Sequence, residues 1–369
     1  MTGRLHRLHS EQGQSPWLDN LQRGFLLSGG LSRMIGDGIR GLTSNPSIFQ
    51  KAIETGSEYE DEFATAISGG LDPEQAYWQL VTTDIRAAAD LFAGLHAASG
   101  GVDGHVSVEV DPRLAHDAQA TLRAARELHT RVDRPNVMIK IPATLEGIPV
   151  VRQLTAEGIN VNVTLIFGLD RHRRVMDAYL QGLEDRLDGG LPVDRIASVA
   201  SFFVSRVDSE VDRRLGDTGT AGASALRGTA AVAQARLAYR NFRETFSGPR
   251  WQRLSAAGAR VQRPLWASTS TKNPAYPDTL YVDSLIGPDT VNTLPDATVA
   301  AFADHGTVAR AVDSDPAGTD MAWSALAAAG VDMEDVAQVL EQEGIASFIS
   351  SFDQLLAVLR GKAPGVRGA

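Results

Sequence analysis

Short runs of β-branched and apolar residues alternate along this chain with longer stretches of helical periodicity, and this alternation restricts the fold more than any other feature. The runs that predict strands are residues 38–42, 106–110, 137–141, 159–166, 196–204, 264–268 and 279–282. Strands separated by helices pair in parallel through crossover connections. With a further short strand at residues 17–21, the pattern predicts an α/β fold, a closed (β/α)8 barrel of the TIM type. An open doubly wound sheet would show similar local patterns.

The helical stretches define the extent of the domain. The predicted barrel helices are residues 46–54, 73–98, 113–131, 148–157, 171–187, 223–246 and 288–302. Three more are expected afterwards, at residues 321–329, 333–342 and 346–359, the last one capped by Gly361. We therefore expect one domain over residues 1–369, with the barrel at about 15–304 and a helical C-terminal extension at 305–369. The glycine-rich residues 216–222 predict an exposed loop.

Composition narrows the class of protein. The chain has no cysteine, which excludes a disulfide scaffold and a thiolate zinc module and favours a reducing, cytoplasmic location. No apolar run approaches the roughly 18 residues of a membrane span. With 45 acidic and 35 basic residues, the chain offers no basic stripe for nucleic acid. An acidic average still allows a small cationic pocket for a phosphorylated metabolite.

Known cofactor motifs are absent or misplaced. Residues 36–41 match the dinucleotide pattern GxGxxG, but the glycines bracket a predicted strand instead of opening a helix. The eight histidines show no HxH or HExxH spacing, and there is no GxSxG nucleophile elbow. We expect neither a metal nor a dissociable cofactor.

The use of basic residues singles out a lysine. Only four of the 35 basic residues are lysines, and one of them, Lys140, lies in the apolar strand at residues 137–141. Unlike arginine, a desolvated lysine can lose its proton and attack a carbonyl to form a Schiff base. The alternative is a buried structural ion pair.

Glu109 lies on the preceding predicted strand between two valines. It is a candidate general acid/base for the proton transfers of Schiff-base chemistry, acting directly or through a water. The alternative is a salt bridge to Lys140, and the two interpretations are compatible.

Polar residues also mark the ends of other strands. Asn45 precedes a proline that can begin a helix, so it is either a ligand-binding residue or an N-cap. Asn162 and Thr164 lie two residues apart, so both point to one face of a strand, predicted to be the barrel interior. Two polar groups that face inward require a ligand or a water.

The signal for phosphate binding is weaker. Ser201 and Arg206 lie at the end of the sixth predicted strand, and Lys272 follows the seventh. Loops after late barrel strands often bind phosphate. Taken singly, each of these residues is equally consistent with an ordinary surface position.

Seven sequence blocks, in order along the chain, resemble the transaldolase family, in particular its longer form from actinobacteria. The blocks are LD (18–19), TSNPSIF (43–49), SVEVD (107–111), IKIPAT (139–144), GINVNVTLIF (158–167), SFFVSR (201–206) and YVDSLIGPDTVNTLP (281–295). The resemblance covers nearly all of the chain. It implies a (β/α)8 barrel that transfers a dihydroxyacetone unit between sugar phosphates without a cofactor.

The resemblance also implies roles for single residues. Lys140 would form the Schiff base, Asp19 would accept the proton of the C4 hydroxyl, and Glu109 with Thr164 would hold a catalytic water. The three-carbon fragment would be bound by Asn45, Asn162 and Ser201, and the phosphate by Arg206 and Lys272. The loop before Lys272 departs from shorter transaldolases, which carry an arginine in a tighter loop.

Two other functions stay open at this point. One is an aldolase of the same Schiff-base class that releases dihydroxyacetone, although the related fructose 6-phosphate aldolases carry glutamine at the position of Glu109. The other is a catalytically silent barrel that binds sugar phosphates. A homodimer is compatible with the sequence and is not predicted by it.

Overall fold

The computed structural model describes residues 3–218 and 222–367, and its centre is a closed barrel of eight parallel strands in sequential order. The strands are β1 (Gln14–Leu18), β2 (Gly41–Thr43), β3 (His105–Glu109), β4 (Val137–Pro142), β5 (Val161–Ile166), β6 (Ser198–Phe203), β7 (Gln262–Ala267) and β8 (Thr290–Leu294). Pairing of β1 with β8 closes the barrel. The predicted (β/α)8 fold class is confirmed.

Helices surround the barrel and extend beyond it. They are α1 (Arg4–Gln12), α2 (Arg23–Leu27), α3 (Gly30–Gly36), α4 (Pro46–Thr55), α5 (Glu60–Ser68), α6 (Pro73–Ala98), α7 (Ala118–Val132), α8 (Gly147–Glu157), α9 (Leu169–Asp188), α10 (Ser205–Thr218), α11 (Ala230–Thr245), α12 (Pro249–Ala256), α13 (Leu280–Asp283), α14 (Asp296–His305), α15 (Pro316–Ala328) and α16 (Met333–Arg367). Every strand residue is buried, as expected for parallel strands that are covered on both faces.

Two strands depart most from the sequence prediction. The first, expected at residues 17–21, lies at Gln14–Leu18, and the eighth lies in a different segment from the predicted one. Residues 279–282, predicted as a strand, belong mostly to the single helical turn α13, and the true strand β8 lies inside the helix predicted at 288–302. Pro288 resembles a first helical residue, but the helix begins only at Asp296. The segment Thr290–Leu294 forms a strand because its backbone pairs with both β7 and β1.

Between residue 306 and the last described residue, 367, the C-terminal extension has two helices and not the predicted three. Helix α16 continues without a break through residues 343–345 and past Gly361, so Gly361 is not its cap. Within this helix, Gly344 packs directly against Leu165 and Phe167. A Cβ at this position would lie 3.0 Å from Leu165 Cδ2, so the close contact favours glycine. Close packing offsets the roughly 1 kcal/mol that an interior helical glycine costs.

Other helices were predicted with different bounds or not at all. The stretch 113–131 is a 3-10 turn followed by α7, and 223–246 is a 3-10 turn followed by α11. Helix α10 includes residues 216–218 of the predicted glycine-rich loop, while residues 219–221 of that loop lie outside the described residues. Within the described ranges, no helix is long and apolar enough to cross a membrane.

Candidate active site

Lys140 and Glu109 lie side by side near the C-terminal ends of β4 and β3. The strand register pairs the two residues directly, and Lys140 Nζ lies 3.0 Å from Glu109 Oε2. The ammonium also donates a hydrogen bond to the Ser44 carbonyl at 3.0 Å. Only 4% of Lys140 and 5% of Glu109 is exposed. The barrel therefore holds an amine against a carboxylate in a buried site.

The buried Glu109 carboxylate has few polar partners. Apart from the ion pair, neither of its oxygens accepts a well-formed hydrogen bond from the described residues. Burial raises the pKa of Glu109, and the Lys140 charge opposes only part of the rise. A carboxyl group whose pKa is raised in this way is suited to hold and return a proton near neutral pH.

Thr164 is placed by an irregularity in β5. The pairing of β5 with β6 shifts between Val163 and Ile166, so that Thr164 and Leu165 bulge opposite Ser201. Leu165 has a φ of 59°, a conformation that non-glycine residues rarely adopt. Bulges of this kind redirect a side chain next to an active site. Thr164 Oγ1 is fully buried and has no hydrogen-bond partner in the described residues, so a bound water would satisfy it.

Asp19 follows β1 and brings a second carboxylate to the same end of the barrel. Its Oδ1 accepts a hydrogen bond from Thr43 Oγ1 at 2.8 Å, and that hydroxyl lies 2.6 Å from Thr293 Oγ1. Burial raises the pKa of Asp19, while the Lys140 charge and the Thr43 hydrogen bond lower it. Asp19 and Glu109 thus share one buried lysine.

Asn162 and Ser201 are joined inside the barrel. Ser201 Oγ donates to Asn162 Oδ1 at 2.7 Å, and Asn162 Nδ2 donates to Ser107 Oγ at 3.0 Å. This chain fixes the orientation of the amide and links β3, β5 and β6. The sequence placed Asn162 and Thr164 on one inward face, but their situations differ, because Asn162 has protein partners and Thr164 has none.

Asn45 is the N-cap of α4. Its Oδ1 accepts a hydrogen bond from the Ile48 backbone N–H at 3.0 Å, and Pro46 follows as the first helical residue. The capping alternative is therefore present in the structure. Its amide nitrogen carries no hydrogen bond to the described residues and stays available to a ligand.

Arg206 and Lys272 lie near each other at the mouth of the barrel. Burial lowers the pKa of Arg206, whose guanidinium carbon lies 5.5 Å from the Phe203 ring centre. Partial burial and the Arg206 charge lower the pKa of Lys272, and Asp19 opposes the shift. Lys272 Nζ donates to Ser270 Oγ at 2.8 Å. Neither cation has a salt-bridge partner in the described residues, which suits an anion site.

The structure thus brings Asp19 and Glu109 within electrostatic range of Lys140, and Arg206 within electrostatic range of Lys272. Sequence reasoning missed Thr43 and Thr293, which support Asp19, and Ser107, which orients Asn162. Ser107 is two residues before Glu109, a spacing that could have revealed it. Thr293 was hidden because β8 was predicted as a helix. No group of three or more potential metal-ligating residues occurs in the part of the chain that the structure describes.

A closed parallel barrel that holds a buried lysine against a carboxylate near the C-terminal ends of its strands has the arrangement expected of barrel enzymes that form Schiff bases with carbonyl compounds. The chain belongs to the Transaldolase/Fructose-6-phosphate aldolase family, whose model matches residues 16–359.

Relatives that are about 50% identical in sequence match this chain along nearly its whole length. Transaldolase 1 of Streptomyces coelicolor is 52% identical over 361 residues, covering 97% of this chain and 94% of the relative. Transaldolase of Mycolicibacterium smegmatis is 50% identical over 355 residues, covering 96% of each. Transaldolase of Frankia alni is 49% identical, covering 95% of each. The predicted family resemblance is confirmed.

Proposed function

We propose that this chain is a transaldolase, which moves a dihydroxyacetone unit from a ketose phosphate to an aldose phosphate through a Schiff base on Lys140. The reaction would convert sedoheptulose 7-phosphate and glyceraldehyde 3-phosphate to erythrose 4-phosphate and fructose 6-phosphate in the non-oxidative pentose phosphate pathway. The observation that carries the proposal is the buried pair of Lys140 Nζ and Glu109 Oε2, 3.0 Å apart.

Formation of the Schiff base requires Lys140 to lose a proton before it attacks the ketone carbon. Glu109 is in contact with the ammonium and accepts that proton, and burial favours the neutral acid that results. The proton then returns to the hydroxyl of the carbinolamine, which leaves as water. A water held between Glu109 and Thr164 would relay these transfers and later hydrolyse the Schiff base.

Cleavage of the carbon–carbon bond needs a second base. Asp19, oriented by its hydrogen bond from Thr43, accepts the proton of the C4 hydroxyl. As the C3–C4 bond breaks, its electron pair moves into the iminium group to form an enamine, and the aldose phosphate leaves. The enamine then attacks the aldehyde of the acceptor by the same steps in reverse.

The remaining polar residues would bind the substrates. Asn162 and Ser201, fixed by their mutual hydrogen bond, would contact hydroxyls of the three-carbon fragment together with Asn45. The two mouth cations, Arg206 and Lys272, would bind the phosphate through charge-assisted hydrogen bonds. The substrates are therefore small sugar phosphates, and the proposed setting is the cytoplasm.

A second candidate is a Schiff-base aldolase that releases dihydroxyacetone to water, an activity that the family's name includes. The carboxylate of Glu109 favours transfer, because the resembling aldolases carry glutamine there. The test is to supply fructose 6-phosphate with and without erythrose 4-phosphate. Turnover only with the acceptor supports the transferase, release of dihydroxyacetone without it supports the aldolase, and no turnover in either case contradicts both.

A further inference from the structure

The two cations of the proposed phosphate site lie on different segments of the chain. Arg206 is the second residue of α10, and Lys272 lies in the connection between β7 and α13. The segments meet at their bases, where Ser205 N donates to the Ser268 carbonyl at 3.0 Å and the two serine hydroxyls lie 2.9 Å apart. Beyond that junction Thr269 is buried and its hydroxyl donates to the Thr293 carbonyl at 3.0 Å. Lys272 begins an exposed stretch, so its distance from Arg206 also depends on what holds the chain on its C-terminal side.

Two aspartates one turn apart on α10 accept hydrogen bonds from tyrosines of this connection and of the helix α13 that follows it. Tyr276 Oη donates to Asp212 Oδ2 at 2.5 Å, and Tyr281 Oη donates to Asp208 Oδ2 at 2.7 Å. We name these four residues the tyrosine clasp. Tyr276 comes four residues after Lys272 and Asp212 six residues after Arg206, so the clasp joins the same two segments that carry the cations.

The second oxygen of each aspartate accepts a hydrogen bond from a backbone N–H, one in the connection between α10 and α11 and one in the first turn of α11. Asp212 Oδ1 accepts a hydrogen bond from Gly228 N at 3.0 Å, and Asp208 Oδ1 accepts one from Ala231 N at 2.8 Å. Each carboxylate is thereby held on both sides, and its position does not depend on the tyrosine alone. Hydrogen bonds to charged groups are stronger than neutral ones.

The ring of Tyr276 also packs closely, against the backbone of Gly228. A Cβ built on Gly228 would lie 2.8 Å from Tyr276 Cζ, and Gly228 has a φ of 72°, which favours glycine. Among residues 272–278 only Tyr276 is not exposed. Among the described residues, this stretch makes a second side-chain hydrogen bond to a distant element, between the exposed Asp278 and His305 of α14. Tyr276 is therefore the nearest anchor on the C-terminal side of Lys272, and Thr269, whose hydroxyl donates to the Thr293 carbonyl at 3.0 Å, is the anchor on its N-terminal side.

We propose that Tyr276 and Asp212 are positioning residues for phosphate recognition, holding Lys272 at a fixed distance from Arg206. This inference rests on the proposed phosphate site. It assigns to the clasp an effect on phosphorylated substrates that does not extend to the chemistry at Lys140.

The experiment compares Tyr276→Phe with wild type by borohydride trapping of the Schiff base. The concentration giving half-maximal inactivation is measured for fructose 6-phosphate and for dihydroxyacetone, which has no phosphate. Loss of one hydrogen bond to a charged group should raise the value for fructose 6-phosphate about tenfold and leave that for dihydroxyacetone unchanged. Tyr179→Phe is the matched control, because its hydroxyl donates to the Arg260 carbonyl at 2.9 Å and lies outside the clasp.

Gly228→Ala gives an independent test, because it keeps both hydroxyls and displaces the Tyr276 ring; it should show the same selective effect. The inference would be overturned if Tyr276→Phe weakened the binding of both ligands equally, or of neither.

Arg206→Ala separates this failure from that of the proposed site. If Arg206→Ala is selective and Tyr276→Phe is not, the clasp is wrong and the phosphate site stands. If Arg206→Ala is not selective, the phosphate assignment fails and the inference fails with it.

Discussion

At the scale of single residues, the site consists of two carboxyl groups near one lysine amine. Burial raises the pKa of both Glu109 and Asp19, and the positive charge of Lys140 partly offsets each rise. The two acids are not equivalent, because Glu109 lies 3.0 Å from Lys140 Nζ while Asp19 accepts a hydrogen bond from Thr43. Two carboxyl groups with different partners can carry different roles in one reaction.

Glu109→Gln should slow turnover with fructose 6-phosphate and erythrose 4-phosphate by ~10²-fold or more, because glutamine cannot accept the Lys140 proton. Substrate binding should change little. Stopped-flow measurement of Schiff-base formation, together with KM, checks both statements.

The control for this variant is Glu341→Gln, which removes a carboxylate that lies 3.0 Å from Arg171 Nη1 in another ion pair. It should retain most of the activity. Turnover close to wild type in Glu109→Gln would mean that Glu109 is only the structural partner of Lys140.

The phosphate site is tested by Arg206→Ala. The ratio of kcat/KM for fructose 6-phosphate to that for fructose should fall by roughly ten- to a hundred-fold, because one charge-assisted contact is lost. Lys272→Ala should act in the same direction and more weakly, since Lys272 is the more exposed of the two. An unchanged ratio in both variants would place the phosphate elsewhere.

Some of these residues are predictable from sequence and others are not. A lysine in an apolar strand and a glutamate between valines stand out because burying a charge without a partner is costly. Thr164 lies on the same inward face as Asn162 by simple alternation, yet its missing hydrogen-bond partner follows from a bulge that no local sequence signal marks. The support of Asp19 by Thr43 and Thr293 depends on barrel closure.

At the scale of elements, α16 contacts the helices α4 and α10. Ser351 Oγ lies 2.7 Å from Ser47 Oγ of α4, and Arg214 of α10 pairs with Asp335 at 2.6 Å. Near its middle, Gly344 packs against Leu165, the residue that follows Thr164 in the β5 bulge. The helix is therefore in a position to fix the bulge.

Gly344→Val should lower both the melting temperature and the turnover number, because a side chain there must displace Leu165 and with it Thr164. A displacement of about 1 Å at a catalytic group can cost up to ~10²-fold in rate. Gly361→Val, in the same helix, is the control, since nothing lies within 4 Å of a Cβ at that position. If both variants behave like wild type, α16 does not set the position of Thr164.

The errors in predicting elements have a common cause. Strand β8 and the short helix α13 were exchanged because the run at 279–282 has local β-propensity, while β8 becomes a strand only by pairing with β7 and β1. The predicted break in α16 at residues 343–345 is absent because close packing at Gly344 compensates for its poor helix propensity.

At the scale of the whole molecule, two buried histidines make the fold sensitive to acid. Burial lowers the pKa of His172 to about 3 and that of His105 to about 3. Both residues are neutral in the folded protein, whereas the unfolded chain binds protons below its pKa of about 6.5. The contribution of these two histidines to stability is therefore fully present above pH ~6.5 and is lost progressively as the pH falls towards 3.

His172→Leu should reduce this loss. Neither ring nitrogen of His172 has a hydrogen-bond partner in the described residues, and the ring packs against Phe202 at 5.5 Å. The decrease in unfolding free energy between pH 7.5 and pH 5 should be smaller than in wild type by about 2 kcal/mol. Denaturant unfolding at the two pH values measures it, with the exposed His116→Gln as control. A decrease equal to that of wild type would contradict the prediction.

The central claim is that Lys140 forms the Schiff base, and it is tested most directly by mass spectrometry after borohydride reduction in the presence of fructose 6-phosphate. We expect irreversible inactivation and a three-carbon adduct on the peptide that contains Lys140, with no adduct in Lys140→Arg, because a guanidinium stays protonated and cannot attack. The chain has only three other lysines, so the site of labelling is unambiguous. An adduct on Lys51, Lys272 or Lys362 in place of Lys140 would contradict the account.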